Sequence, residues 1–355
     1  MSRADRVAAR LAEREIDALL VTDLVNIGYL TGFTGSAAMA VVGPETRRFI
    51  TDFRYVERAK AEVSGFDQER APQEPAAALK TGWPDGEVRL GFEDQHLSVR
   101  QHARLRELLP GGIELVAAGG LVEAERARKE PEEVERIRAA AALTDEIYAW
   151  VHERGVVGRT EREVALALEE EMRRRGATDP SFSSIVASGP HGALPHAEPR
   201  DVEIPAGVLI TLDLGSRLDG YCSDCTRTWA TGELDDDLRE IYDVVLRAQE
   251  TALDAVRPGP TGREVDAVAR DLITAAGHGD HFGHGLGHGV GLEVHEAPRL
   301  ARTGTDALEA GNVVTVEPGI YLPGRGGVRI EDLVLITENG RDVLSASPKS
   351  LTAVK

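Results

Sequence analysis

Two apolar periods alternate along the first 120 residues. A helical spacing runs over 5–15, 54–63 and 99–109, and short apolar runs of strand length fall at 18–21, 38–42, 48–51 and 88–92. This alternation predicts a small α/β domain. Pro110-Gly111-Gly112 and Gly119-Gly120 are turn signals near its end. Charge then crowds in, with eleven charged residues among the sixteen from 123 to 138. That density predicts a solvated segment running into a helix, with Pro131 in the first turn and Glu132 and Glu133 at the positive end of its dipole. The expected domains are therefore 1–124 and 125–355. In the second, helical spacing at 131–154 and 160–175 precedes strand-like runs at 183–188, 208–215 and 221–230. Helices at 235–256 and 262–276 again precede strands at 312–317 and 327–337. The predicted class is α+β, with two pseudo-symmetric helix-pair-plus-sheet halves behind the smaller α/β domain.

Four carboxylates interrupt these strands. Asp213 and Asp224 flank a turn signal, Asp219-Gly220, so the two segments read as a hairpin. A turn centred between Leu218 and Asp219 sets the two aspartates opposite each other, with Cβ atoms about 5 Å apart. Glu317 and Glu331 flank the turn-rich Pro323-Gly-Arg-Gly-Gly327, and a turn centred on Gly324 opposes them in the same way. Apolar neighbours place both pairs in the interior, where unpaired charge is costly. Two such pairs in the same hairpin context point to a site for hard cations. Seven of the ten histidines lie between His191 and His295, three of them interleaved with glycine in the stretch from His284 to His295. Asp213, Asp224, His288, Glu317 and Glu331 are thus the candidate ligands. They suit two divalent metals sharing oxygens, a centre that makes hydroxide near neutral pH and polarises a carbonyl.

Composition narrows the class. The chain has 355 residues, 42% hydrophobic and 28% charged, with net charge −19. At the level of the whole chain this balance does not supply the cationic face that nucleic acid or an anionic membrane needs, which leaves only a local basic patch open. The N-terminal pattern lacks the apolar core of a signal peptide, and the most apolar stretch, 25–43, is broken by Asn26, threonines and glycines. A cytoplasmic protein is expected. Cys222-Ser-Asp-Cys225 sits in a predicted strand, where positions three apart face opposite ways, so neither a redox pair nor a zinc knuckle is read there. His278 and His281 are read as loop histidines. The glycine-histidine stretch lacks the ending of a phosphate loop.

At these residues the sequence resembles the pita-bread metallopeptidases, in particular their proline-specific branch of Xaa-Pro dipeptidases and aminopeptidases P. The resemblance rests on Leu194-Pro-His196, Asp213-Leu-Gly, Ser223-Asp224-x-Thr-Arg-Thr228, Gly283-His284-Gly-x-Gly-His288-x-x-Gly-Leu-x-x-His295-Glu, Val316-Glu317-Pro-Gly-x-Tyr321 and Arg329-Ile-Glu331-Asp. Tyr29-Leu-Thr-Gly-Phe-Thr-Gly-Ser36 and Thr51-Asp-x-Arg-Tyr55 extend it into the first domain. It implies a pita-bread domain and an exopeptidase cleaving Xaa-Pro bonds through a hydroxide shared by two metals. Manganese is the usual metal, and cobalt or zinc are alternatives. Asp213 and Glu317 would each serve mainly one metal, Asp224 and Glu331 would bridge, and His288 would complete the set. Glu317 would shuttle the proton, and His295 and His284 would hydrogen-bond the substrate or the oxyanion. His196 would sit in the proline pocket, Arg329 would support Glu331, and Tyr321 would lie behind the site or against the substrate. A homodimer is implied. Arg299, four residues past His295, is the candidate reader of a terminal carboxylate, because its planar fork pairs a carboxylate with two hydrogen bonds. The rivals are a methionine aminopeptidase or creatinase on the same fold, and a non-catalytic peptide-binding module. Methionine aminopeptidases generally lack the first domain, and the other two would lack ligands that are intact here.

Overall fold

The computed structural model describes residues 1–355 and divides into two compact units, Met1–Arg126 and Ala127–Lys355. The first unit is a six-stranded mixed sheet. Its strands are Ala18–Val21 (β1), Ala38–Val42 (β2), Arg47–Thr51 (β3), Asp67–Arg70 (β4), Val88–Phe92 (β5) and Ile113–Ala117 (β6), in the order β4-β3-β2-β1-β5-β6. Helices Arg3–Ala9 (α1), Leu24–Thr31 (α2), Val56–Glu62 (α3), Val99–Leu108 (α4) and Leu121–Ala127 (α5) accompany it. Leu20, Val41, Ile50, Leu79, Leu90 and Leu105 form part of its core. Four elements of this unit lie outside the predicted set: α2, β4, β6 and α5, the last falling mostly within the stretch where charge predicts a solvated segment. Helix α2 has a clear start at Asp23, which accepts from the Val25 amide, and a stop at Gly32, but it lies in the stretch weighed only as a membrane span. Strand β4 is Asp-Gln-Glu-Arg, an edge strand with no apolar period to reveal it. Strand β6 has no fully buried residue: Ile113, Leu115 and Val116 are half-buried and Glu114 and Ala117 are exposed.

The second unit has the expected two halves. In the first, Pro131–Arg154 (α6) and Glu161–Arg174 (α7) pack on the sheet of Ile185–Ser188 (β8), Leu209–Leu214 (β9) and Cys225–Ala230 (β12). Between them come the short strands Asp179–Pro180 (β7), Ser216–Leu218 (β10) and Tyr221–Cys222 (β11). In the second, Asp236–Ala255 (α8) and Gly262–Ala275 (α9) pack on Gly287–Gly289 (β13), Glu296–Leu300 (β14), Val313–Val316 (β15), Asp332–Thr337 (β18) and Gly340–Val343 (β19). Gly319–Leu322 (β16) and Gly326–Arg329 (β17) form a separate ribbon. The helices start where capping boxes predict, at Thr160 with Glu163 and at Thr261 with Glu264. Strand β13 carries no strand pattern because it is Gly-His-Gly, and β14, Glu-Ala-Pro-Arg-Leu, carries none because it is short, charged and interrupted by proline.

The charged stretch 123–138 is not a solvated linker throughout. Arg126, Lys129 and Glu133 are buried, and Lys129 pairs with the buried Glu296 at 2.9 Å. The charge density had suggested water, but the chain turns these side chains inward onto partners. No helix of the protein is long and apolar enough to cross a membrane.

Candidate metal centre

Strands β9 and β12 are buried along their whole length, yet their two faces differ. Ile210, Leu212, Leu214, Cys225 and Trp229 join the helix-side core. The opposite face carries Thr211, Asp213, Thr226 and Thr228, with Thr226 directly across from Asp213. The predicted register is therefore corrected: Asp224 lies diagonal to Asp213, not opposite it. The cause is the turn. Asp219 and Gly220 both take positive φ, 48° and 85°, and so occupy its two central positions, pairing Leu218 with Tyr221. The centre sits one residue later than expected. Positions 224 and 226 share a face, so both aspartates still point to the same side.

The second pair follows its predicted register. Val316 pairs with Asp332 and Gly319 with Arg329, which sets Glu317 across from Glu331. His288 comes from β13, between Gly287 and Gly289. A Cβ at these glycines would fall 2.0 Å from the Thr315 carbonyl oxygen and 2.1 Å from that of Ala297, so only glycine lets the backbones close in here.

These five side chains line one cleft of about 670 Å³. Donor atoms of Asp224, His288 and Glu331 lie within 4.8 Å of one another. His288 Nε2 is 3.3 Å from Glu317 Oε1 and 3.6 Å from Asp224 Oδ2. The His288 Nδ1–H donates to the Gly289 carbonyl at 3.0 Å, which leaves Nε2 facing the carboxylates. Burial pushes Asp224 and Glu331 well above the usual carboxyl range, and the neighbouring carboxylates add to it. Burial also raises Asp213, with the Arg329 charge opposing. Burial opposes ionisation of Glu317 too, but the hydrogen bond and charge of His288 bring it down to about 2. Asp213 Oδ1 and Glu331 Oε1 are buried with no hydrogen-bond partner. Orphaned oxygens in a crowd of carboxylates fit a centre completed by cations.

Arg329 organises the surroundings. Its Nη2 donates to Asp213 Oδ2 at 2.7 Å, its Nε to Thr226 Oγ1 at 3.0 Å, and its Nη1 to Tyr321 Oη at 2.9 Å. Thr226 Oγ1 in turn donates to Glu331 Oε2 at 2.7 Å. Arg329, expected beside Glu331, holds Asp213 directly and reaches Glu331 through the Thr226 hydroxyl. Thr226 was not singled out from sequence. Its signal was a run of hydroxyl residues at every second position beside a buried carboxylate. Thr315 was missed as well: its Oγ1 accepts from the His288 amide at 3.1 Å and donates to Glu317 at 3.2 Å.

The other candidates divide. His196, His295 and Arg299 line the cleft with exposed side chains. The His295 ring lies edge-on to His288, centroids 4.3 Å apart, and Arg299 is the register partner of His288. His284 also lines the cleft, but its Nδ1–H donates to Gly285 O and its Nε2 is engaged by Tyr321 Oη, both at 2.8 Å. With both nitrogens occupied, and burial pulling its pKa down, His284 has no N–H left for a substrate. That expectation is corrected to a link between the glycine-rich segment and Tyr321. Tyr321 is buried and lies behind the wall, not in it.

The model of metallopeptidase family M24 matches residues 135–338, and that of the creatinase/prolidase N-terminal domain matches 3–128. An uncharacterised peptidase of Bacillus subtilis is 45% identical over 337 residues, 95% of either chain. The structure of an Xaa-Pro dipeptidase from Bacillus anthracis superposes with a TM-score of 0.96 at 40% identity over 99% of each chain. That of an X-Pro aminopeptidase from Thermotoga maritima gives 0.88 at 35% identity, over 98% of this chain and all of that one.

Proposed function

The chain belongs to metallopeptidase family M24, and from its donor set we propose a dinuclear-metal exopeptidase that hydrolyses Xaa-Pro bonds, as an Xaa-Pro dipeptidase or an aminopeptidase P. The observation that carries the metal chemistry is the pair of orphaned oxygens, Asp213 Oδ1 and Glu331 Oε1, buried beside two further carboxylates and His288. Asp213, Asp224, His288, Glu317 and Glu331 would hold two divalent ions, manganese first and cobalt or zinc tolerated by the same donors. Such ions, when bound, activate water and polarise a carbonyl.

The chain's own residues do the rest. Glu317, kept ionised, accepts a proton on its carboxylate and passes it to the leaving proline nitrogen. His295, exposed in the cleft beside His288, donates to the oxygen that gains charge. His196 flanks the proline ring. Arg299, on the same face as His288, pairs the free carboxylate of a dipeptide. The reading extends to a homodimer in the cytoplasm, for which sedimentation of the pure protein is the check on assembly.

The test is hydrolysis of Xaa-Pro and Xaa-Pro-Yaa peptides before and after chelation. Chelation should abolish turnover and manganese or cobalt should restore it; full activity in a demonstrably metal-free sample refutes the proposal. Arg299→Ala should slow dipeptides more than tenfold relative to tripeptides, since a partly desolvated charge pair is worth about 2–5 kcal/mol on truncation. Equal losses on both would take Arg299 out of the site.

A further inference from the structure

One wall of the cleft is a loop without regular structure. Pro195, His196, Ala197, Glu198 and Pro199 line the cavity from it. Such a loop needs something to fix it, and both its ends converge on one buried carboxylate. Glu161, the first residue of α7, is fully buried. Its Oε1 accepts from the Ser188 amide at 2.9 Å and the Ser188 hydroxyl at 2.8 Å. Its Oε2 accepts from His191 Nδ1 at 2.9 Å and the Arg200 amide at 3.2 Å. The Arg200 fork closes over both oxygens at 3.1 Å. A single side chain thus pins positions 188, 191 and 200, and the cleft-lining residues lie between its last two anchors. The middle of the loop is held by the Pro195 carbonyl, which accepts from Arg329 Nη1 at 3.1 Å. Glu161 itself is not among the residues lining the cleft.

We infer that Glu161 is a positioning residue for substrate: it staples the two ends of the His196 loop and so sets the wall against which the peptide docks. This rests on the exopeptidase reading for its kinetic test, though not for its structural one. Charge-assisted hydrogen bonds are the strong ones, and a bidentate guanidinium–carboxylate pair adds direction. Glutamine in place of Glu161 has the size but offers one acceptor oxygen and no charge, so the fork, His191 and the Arg200 amide lose their common anchor. The loop then samples positions that bind substrate less well, while the metal donors, on other strands, stay in place. Binding suffers and the chemical step does not, which is the signature of lost uniform binding.

The experiment measures kcat and KM for an Xaa-Pro peptide, metal content, and hydrogen exchange of residues 189–199. In Glu161→Gln, KM should rise about tenfold, with kcat within about twofold and metal content unchanged, and exchange in the loop should quicken. Glu161→Asp, which keeps the charge on a shorter stem, should recover part of the KM. In a His196→Ala background the same Glu161→Gln change should alter KM by less than about twofold, because the two act through one wall. Arg200→Ala, at a half-exposed side chain, should reproduce the KM rise and serves if Glu161→Gln does not fold. An unchanged KM, a fall in kcat that tracks metal loss, or full additivity with His196→Ala would each overturn the inference. If the wild type cleaves no Xaa-Pro peptide, the functional reading fails while loop exchange still decides the role of Glu161.

Discussion

Thr226 shows how much a single hydroxyl can carry. It has one proton, which it donates to Glu331, so it must accept from Arg329. Thr226→Val keeps the shape and removes both bonds. Loss of such a partner behind a ligand typically costs about 10–100-fold in metal affinity or activity, so titration of metal into the variant should show a weakened site. Unchanged affinity would make the hydroxyl incidental. Asp224→Asn removes a charge without changing size, and should abolish hydrolysis while the circular dichroism stays native. A variant with normal turnover and two bound metals would end the bridging role. His295 lines the cleft with an exposed side chain, and its proposed role is toward the transition state: His295→Ala should lower kcat by about 10²–10³ with metal content intact. If metal is lost instead, His295 is a ligand and His288 must be reassigned.

At the scale of elements, legibility followed turn chemistry. Gly324 gave the right centre for the second hairpin, because one symmetric loop satisfies its register. The first was misjudged by one position because Asp219 was not read as a left-handed residue, although aspartate tolerates that region better than most. Strand β13 was invisible for a related reason. Its glycines are there for close approach, and close approach has no hydrophobic period. Gly287→Ala should therefore push β13 off β15, costing about 1–3 kcal/mol in denaturant unfolding and displacing His288, with activity falling further than stability. The start of α7 makes a prediction about acid. Burial works against ionisation of Glu161, but the Arg200 fork and the Ser188 donors outweigh it and hold the carboxyl below its ordinary 4.5. A depressed folded pKa adds stability above the unfolded value and loses it as pH falls through the folded one. The gap in urea midpoint between wild type and Glu161→Gln should therefore be full at neutral pH and shrink below about 4.5. A gap that widens in acid would contradict an ionised Glu161.

For the whole molecule, the two-half plan was legible because its long helices and buried strands carry strong periods, and four of the five donors stood out as charges inside apolar runs. The residues that join the halves were not. A threonine facing a carboxylate across strands distant in sequence leaves no local pattern, and the inward turn of Lys129 and Glu133 is decided by partners far along the chain. Arg329 is the clearest case. It sits on β17 of one half and grips Asp213 and Thr226 of the other, while Tyr321 takes its third nitrogen and passes a proton bond on to His284. For the mutational landscape this has a sharp meaning. Lysine offers one point charge where four acceptors, the Pro195 carbonyl among them, wait in fixed directions, and glutamine offers two donors and no charge. No single replacement satisfies them all, and no partial one leaves a working intermediate. In a saturation library selected for growth on a proline-containing peptide, position 329 should return arginine alone, an isolated peak with no neighbouring foothold from which the site could be rebuilt stepwise.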